Sequence, residues 1–116
     1  VREFLRQVST RAIESGMLAS GIAVDPGIGF GKKPEHNLAL LQNLPSFVSL
    51  GHPVLLGVSN KSFLKWLGNA PAIPDRSWPG VAVTAFARQL GARIFRVHDT
   101  AAHHQALRMT EAIFHA

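Results

Sequence analysis

The sequence predicts an α/β fold built on a parallel sheet, and three observations carry that expectation. Helical and strand patterns alternate along the chain in the order αβαβαβα. The strand segments are short, continuous apolar runs, as in sheets whose faces are covered by helices. Each strand also hands over to polar residues at its C-terminal end: first Asp25, then Ser59 to Ser62, then Arg96 to Asp99. In parallel α/β folds that rim is where ligands bind, in barrels and in open sheets alike.

Residues 2–16 place Phe4, Leu5, Val8, Ala12 and Ile13 at helical spacing, with Gly16 as the end signal. Residues 21–25 read as a short buried strand that ends in a carboxylate, followed by a glycine-rich loop from Pro26 to Lys33. Residues 34–47 read as a helix with Pro34 and Glu35 in its first turn. Gly51-His52-Pro53 is a turn, and residues 54–58 form a second buried strand. A short helix over 62–67 and a loop over 68–79 with three prolines follow. Residues 80–91 return to helical periodicity and stop at Gly91, 93–97 form the third strand, and 101–115 form the last helix.

A length of 116 residues fits one domain with one core, and 47% hydrophobic residues suit a globular protein and not a disordered one. No apolar run approaches the roughly 20 residues of a membrane-spanning helix. The chain starts Val-Arg-Glu-Phe, without an initiator Met or a signal-peptide pattern, so a longer parent polypeptide and a cytoplasmic location are expected. The absence of cysteine excludes disulfide scaffolds, thiolate metal sites and thiol catalysis. Lys and Arg number 12 against 7 acidic residues, a formal charge of +5 that favours anionic ligands. The basic residues are scattered and the chain has no Tyr, so neither a nucleic-acid surface nor a membrane is expected as a partner.

Three motifs carry the chemistry. In the first, Asp25-Pro-Gly-Ile-Gly-Phe-Gly-Lys, a carboxylate at a strand end can accept a pair of N–H donors from a heterocycle. The glycines let backbone approach a ligand closely, and Phe30 can cover a flat ring. A plain strand-to-helix turn capped by Asp25 is the alternative. The loop is not a phosphate-binding P-loop, because Gly27 and Gly31 are one residue too close and Lys33 follows Lys32. Nor is it a dinucleotide fingerprint, since Gly27, Gly29 and Gly31 alternate.

The second motif, Ser59-Asn60-Lys61-Ser62, lies between a buried strand and a short helix. Lys61 can donate inward to a ring carbonyl or nitrogen, and Ser62 opens a helix N-terminus suited to an anion. A simple N-cap beside a solvated Lys61 is the alternative. In the third, Arg96-Val97-His98-Asp99, period-two alternation puts Arg96 and His98 on one face of the strand. An Arg for planar phosphate contact and a His as second donor make an anion clamp, and burying such a pair without a ligand is costly. Adjacent His103 and His104 point in different directions on a helix and read as surface histidines rather than a metal site. Phe63 and Trp66 read as core, and the pattern around Arg76 leaves its role open.

Taken in this order and spacing, DPGIGFGKKPEHNLALL (25–41), PVLLGVSNKSFL (53–64) and GARIFRVHDT (91–100) resemble dihydropteroate synthase. The resemblance covers nearly the whole chain. It implies a (β/α)₈ barrel in which residues 1–116 are a partial, C-terminal pterin-binding domain with strands six to eight; a full barrel has about 250 residues. It implies that Asp25 binds the pterin ring, Phe30 lines the pocket, Lys61 contacts the pterin, and Ser62 lies near the carboxylate of p-aminobenzoate. Gly57 joins this substrate-binding set, while Arg96 and His98 hold the pyrophosphate leaving group. Lys61, Arg96 and His98 are the expected catalytic residues.

The family reaction displaces pyrophosphate from 6-hydroxymethyl-7,8-dihydropterin diphosphate by the amine of p-aminobenzoate, giving 7,8-dihydropteroate for folate synthesis. The resemblance implies Mg²⁺, with its ligand outside these residues, and a homodimer as the full-length enzyme. Two positions depart from the family pattern. Asn60 stands where Arg is usual, removing a charge and a fork of donors at the p-aminobenzoate mouth, and Pro79 falls in a stretch that usually has no proline. Two other readings stand beside the enzyme. One is a non-catalytic pterin- or anion-binding fragment or paralogue with open sheet edges. The other is a pterin-binding methyltransferase, which has no need of a diphosphate clamp.

Overall fold

The computed structural model describes residues 1–57 and 77–116. The chain begins in helix α1 (Arg2–Glu14). Gly16 ends it with a φ of +107°, which places the Gly16 N–H on the Ile13 carbonyl and the Met17 N–H on the Ala12 carbonyl, both at 3.0 Å. That paired closure satisfies carbonyls the helix would otherwise leave open. The apolar spacing of α1 is only partly used inward: Leu5 packs on the core, while Phe4, Val8 and Ile13 stay exposed.

Where a strand over 21–25 was expected, a turn of 3₁₀ helix (Ala19–Gly21) leads to a single parallel bridge between Val24 and Val54. Strands β1 (Leu55–Leu56) and β2 (Ile94–Phe95) pair in parallel, Leu55 opposite Ile94 and Leu56 opposite Phe95. The three apolar runs are therefore correct in place and direction but shorter than expected. Among the described residues, Val24 has one neighbouring strand and β2 likewise one, and Val54 to Leu56 have a neighbour on each side.

The helix expected over 34–47 is two helices, α2 (Pro34–Gln42) and α3 (Leu44–Val48), with Asn43 between them. Pro45 has no N–H to continue the ladder. The Asn43 amide group instead reaches back to the Ala39 carbonyl at 2.7 Å. Helix α4 (Ser77–Gln89) starts earlier than the expected residue 80 and carries Pro79 in its first turn, where a missing N–H is tolerated. Helix α5 (Thr100–Phe114) closes the described chain. The expected helix over 62–67, together with Phe63, Trp66 and Arg76, lies outside the described residues.

The core gathers Val24, Ile28, Leu41, Leu44, Phe47, Val54, Leu56, Ala87 and Ala92. Small residues bring the layers close. A Cβ on Gly91 would lie 2.9 Å from Cγ2 of Val48, so the turn between α4 and β2 abuts the end of α3 directly. Helices α4 and α5 pack side by side. Their buried seam holds Thr84 and His103, with Thr84 Oγ1 and His103 Nδ1 2.8 Å apart. The reading of His103 as a surface residue is thus corrected: its relative exposure is 2%, and its Nε2 has no hydrogen-bond partner among the described residues, while His104 is exposed. Burial lowers the pKa of His103, the Asp99 carboxylate opposing that shift.

Candidate functional site

Parallel register fixes which residues share a height. Since Leu56 stands opposite Phe95, the next pair, Gly57 and Arg96, are neighbours one step beyond the C-terminal ends of β1 and β2. The Arg96 N–H donates to the Leu56 carbonyl at 2.9 Å, holding its backbone against the strand. The guanidinium then lies on Gly57. A Cβ there would stand 3.1 Å from Nη2 and 3.3 Å from Nε of Arg96. Gly57 is buried, and its lack of a side chain leaves the room that the Nε and Nη2 edge of the cation occupies.

Asp25 follows the Val24 bridge on the other side of β1. Asp25, Gly57 and Arg96 therefore stand along one edge of three adjacent strands, all at C-terminal ends. Arg96 is exposed, as is His98 beyond it in the link to α5, so the burial penalty expected of this pair does not arise. Asp99 serves α5: its Oδ1 accepts the Ala102 N–H at 3.1 Å, an N-cap. Lys61 and Ser62 lie outside the described residues.

The glycine loop is tied at several points. Asp25 Oδ1 accepts the Gly27 N–H at 2.8 Å, so one carboxylate oxygen is engaged locally, as the turn reading expected. The Gly29 N–H donates to Oδ1 of Asn37 at 2.9 Å. Lys32 Nζ donates to the Gly27 and Phe30 carbonyls at 2.8 and 2.9 Å. Phe30 stands 61% exposed at the loop tip. Sequence reasoning passed over Lys32 and Asn37. The signal for Asn37 was present: it lies four residues before Leu41 on α2, at the spacing of the core-facing side, and both are buried.

Among the described residues no three His, Asp or Glu side chains come together, so those residues by themselves do not make a magnesium cage. A cavity of about 270 Å³ lined by His52, Pro53, Gly91 and Arg93 lies at the opposite, N-terminal ends of the strands. It is remote from the Asp25–Gly57–Arg96 edge.

Residues 1–98 match the model of the family described as pterin binding enzyme. The chain belongs to the pterin-binding enzyme family. As a member, it is similar to the dihydropteroate synthase of Haemophilus influenzae, 37% identical over 116 residues, covering 100% of this chain and 42% of that protein. It is equally similar, at 37% over 117 residues, to the protein called inactive dihydropteroate synthase 2 of Mycobacterium leprae, covering 97% of this chain and 40% of the relative. Crystal structures of dihydropteroate synthase from Thermus thermophilus superpose closely. The complex with 6HMPPP gives a TM-score of 0.90 at 42% identity, covering 97% of this chain and 44% of that one. The complex with 4-aminobenzoate gives 0.89 at 43%, covering 96% and 42%. The chain spans about two fifths of the length of the curated relatives it matches. Its parallel βα units are those of a partial (β/α)₈ barrel.

Proposed function

We propose that this chain supplies the strand-six to strand-eight side of a dihydropteroate synthase site, acting within a longer polypeptide. The observation that carries the reading is the Arg96 guanidinium set with its Nε and Nη2 edge against Gly57, along the strand edge that also presents Asp25. Family membership over residues 1–98 supports it. So do the 6HMPPP and 4-aminobenzoate complexes of the Thermus thermophilus relative, whose ligands match the two substrates of the reaction.

In this proposal the second oxygen of Asp25 accepts N–H groups of the pterin ring while Phe30 covers its face. Arg96 and His98 hold the diphosphate. The bond between the pterin methylene carbon and the diphosphate oxygen breaks, and its electron pair leaves with pyrophosphate. The amine nitrogen of p-aminobenzoate then bonds to that carbon and releases a proton. Arg96 and His98 stabilise charge growing on the leaving group, and Lys61 and Ser62 orient the two substrates. Magnesium, which the resemblance implies, would be held by residues outside this chain, and its contribution would be to neutralise diphosphate charge. A cytoplasmic location and a homodimer through exposed apolar residues of α4 and α5, such as Phe86 and Ile113, belong to the same proposal.

The test is dihydropteroate formation by the complete polypeptide carrying these residues, compared with its Arg96→Ala variant. We expect activity in the parent and a fall in kcat/KM for the dihydropterin diphosphate of about 100-fold or more in the variant. Absence of dihydropteroate formation by the complete polypeptide rejects the assignment. The inactive Mycobacterium leprae relative favours a second reading, a non-catalytic paralogue, in which the dihydropterin diphosphate binds and is not consumed. A pterin-binding methyltransferase is disfavoured, because it has no use for a guanidinium held at the diphosphate position.

A further inference from the structure

We infer that Lys32 and Asn37 are positioning residues that hold Phe30 in place over the substrate ring; this inference rests on the pterin reading of the site. Glycine loses more conformational freedom on ordering than any other residue, so a loop reading Gly-Ile-Gly-Phe-Gly is poorly suited to presenting a ring unless something else fixes it.

Two side chains do so, one from the loop itself and one from α2. Lys32 turns back along the loop, and its ammonium donates to the carbonyls of Gly27 and Phe30 at 2.8 and 2.9 Å. Asn37 reaches up from α2 with 1% relative exposure, and its Oδ1 accepts the Gly29 N–H at 2.9 Å. Gly29 has a φ of +86°, a conformation that L side chains rarely adopt. The Phe30 N–H closes on the Gly27 carbonyl at 3.1 Å. The peptide groups on both sides of Phe30 are therefore anchored while its ring stands 61% exposed.

Lys32 is not arranged as a phosphate ligand, although it follows a glycine loop. Its charge is directed at the two backbone carbonyls, whose dipoles it satisfies. The arrangement commits a cation and a buried amide to the backbone from which the phenyl ring projects.

A double-mutant cycle in the complete polypeptide tests this. Lys32→Met keeps the aliphatic stem and removes the ammonium, and Phe30→Ala removes the ring. Lys32→Met should raise KM for the dihydropterin diphosphate about 10-fold, with KM for p-aminobenzoate unchanged. Phe30→Ala should do the same, and the double variant should be no worse than Phe30→Ala alone. Multiplication of the two single effects, or an unchanged KM in Lys32→Met, overturns the inference. Amide hydrogen exchange at Gly29 and Phe30 separates the two failures. Unchanged exchange in Lys32→Met refutes the clasp itself. Faster exchange in a polypeptide that forms no dihydropteroate leaves the clasp standing and refutes its role toward a pterin.

Discussion

At the scale of single residues, the most informative contact is between a cation and a missing side chain. Gly57→Ala would place a methyl group about 3 Å from the Arg96 guanidinium, a separation that real Cβ atoms seldom show, so the cation must shift. We expect KM for the dihydropterin diphosphate to rise about 10-fold in Gly57→Ala, and steady-state kinetics of the complete polypeptide would show it. Arg96→Lys should fare little better. A lysine retains the charge and loses the planar fork of donors that matches a diphosphate. A variant with undisturbed KM would mean that the guanidinium has no part in binding. The sequence placed Arg96 and Gly57 at strand ends, but no spacing rule shows that one rests on the other. That depends on parallel register, which pairing between strands decides.

At the scale of elements, the seam between α4 and α5 has a pH dependence built into it. His103 is buried, its pKa lowered chiefly by desolvation. The unfolded chain therefore takes up a proton as pH falls below the ordinary histidine value near 6.5, while the folded chain resists. Stability contributed by the neutral imidazole is full above that value and declines as pH drops beneath it. Urea unfolding from pH 7.5 to 5 should show the decline, and His103→Gln should flatten it. A second test at this seam is Thr84→Val, which preserves shape and leaves Nδ1 of His103 without its partner. It should destabilise the fold by about 1–3 kcal/mol, read from the urea midpoint. Glu111, held below its ordinary pKa by the Arg88 guanidinium, responds only in more acidic solution.

The elements themselves were legible to different degrees. The helices that fall on described residues came within a few residues because an amphipathic period repeats along one segment. The exceptions have local causes: Pro45 divides 34–47, and α4 absorbs Pro79 in its first turn. Strands were placed correctly and drawn too long, because their length depends on neighbours that a single segment does not specify. His103 was misjudged by being considered beside His104 rather than on the face it shares with Ala106 and Leu107, three and four residues on.

At the scale of the whole molecule, the described sheet runs from Val24 through β1 to β2 and stops on both sides. The exposed Phe4 and Val8 of α1, and Met109 and Ile113 of α5, add apolar surface. We expect the 116 residues alone to form no dihydropteroate, and an assay of the purified chain with magnesium and both substrates would check this. The same chain should self-associate, which sedimentation at rising concentration would reveal; a strictly monomeric species would count against the exposed edges being adhesive.

The direction of the strands has a practical corollary for anyone surveying variants. Val48 against Gly91 guards one pole of the sheet, and Arg96 upon Gly57 occupies the other. Damage at the first pole should surface as lost yield and lower melting with substrate use intact in the survivors. Damage at the second should leave well-folded protein that has forgotten its ligand. A deep mutational scan scored separately for abundance and for turnover would then split into two populations, sorted by which end of a strand each position occupies.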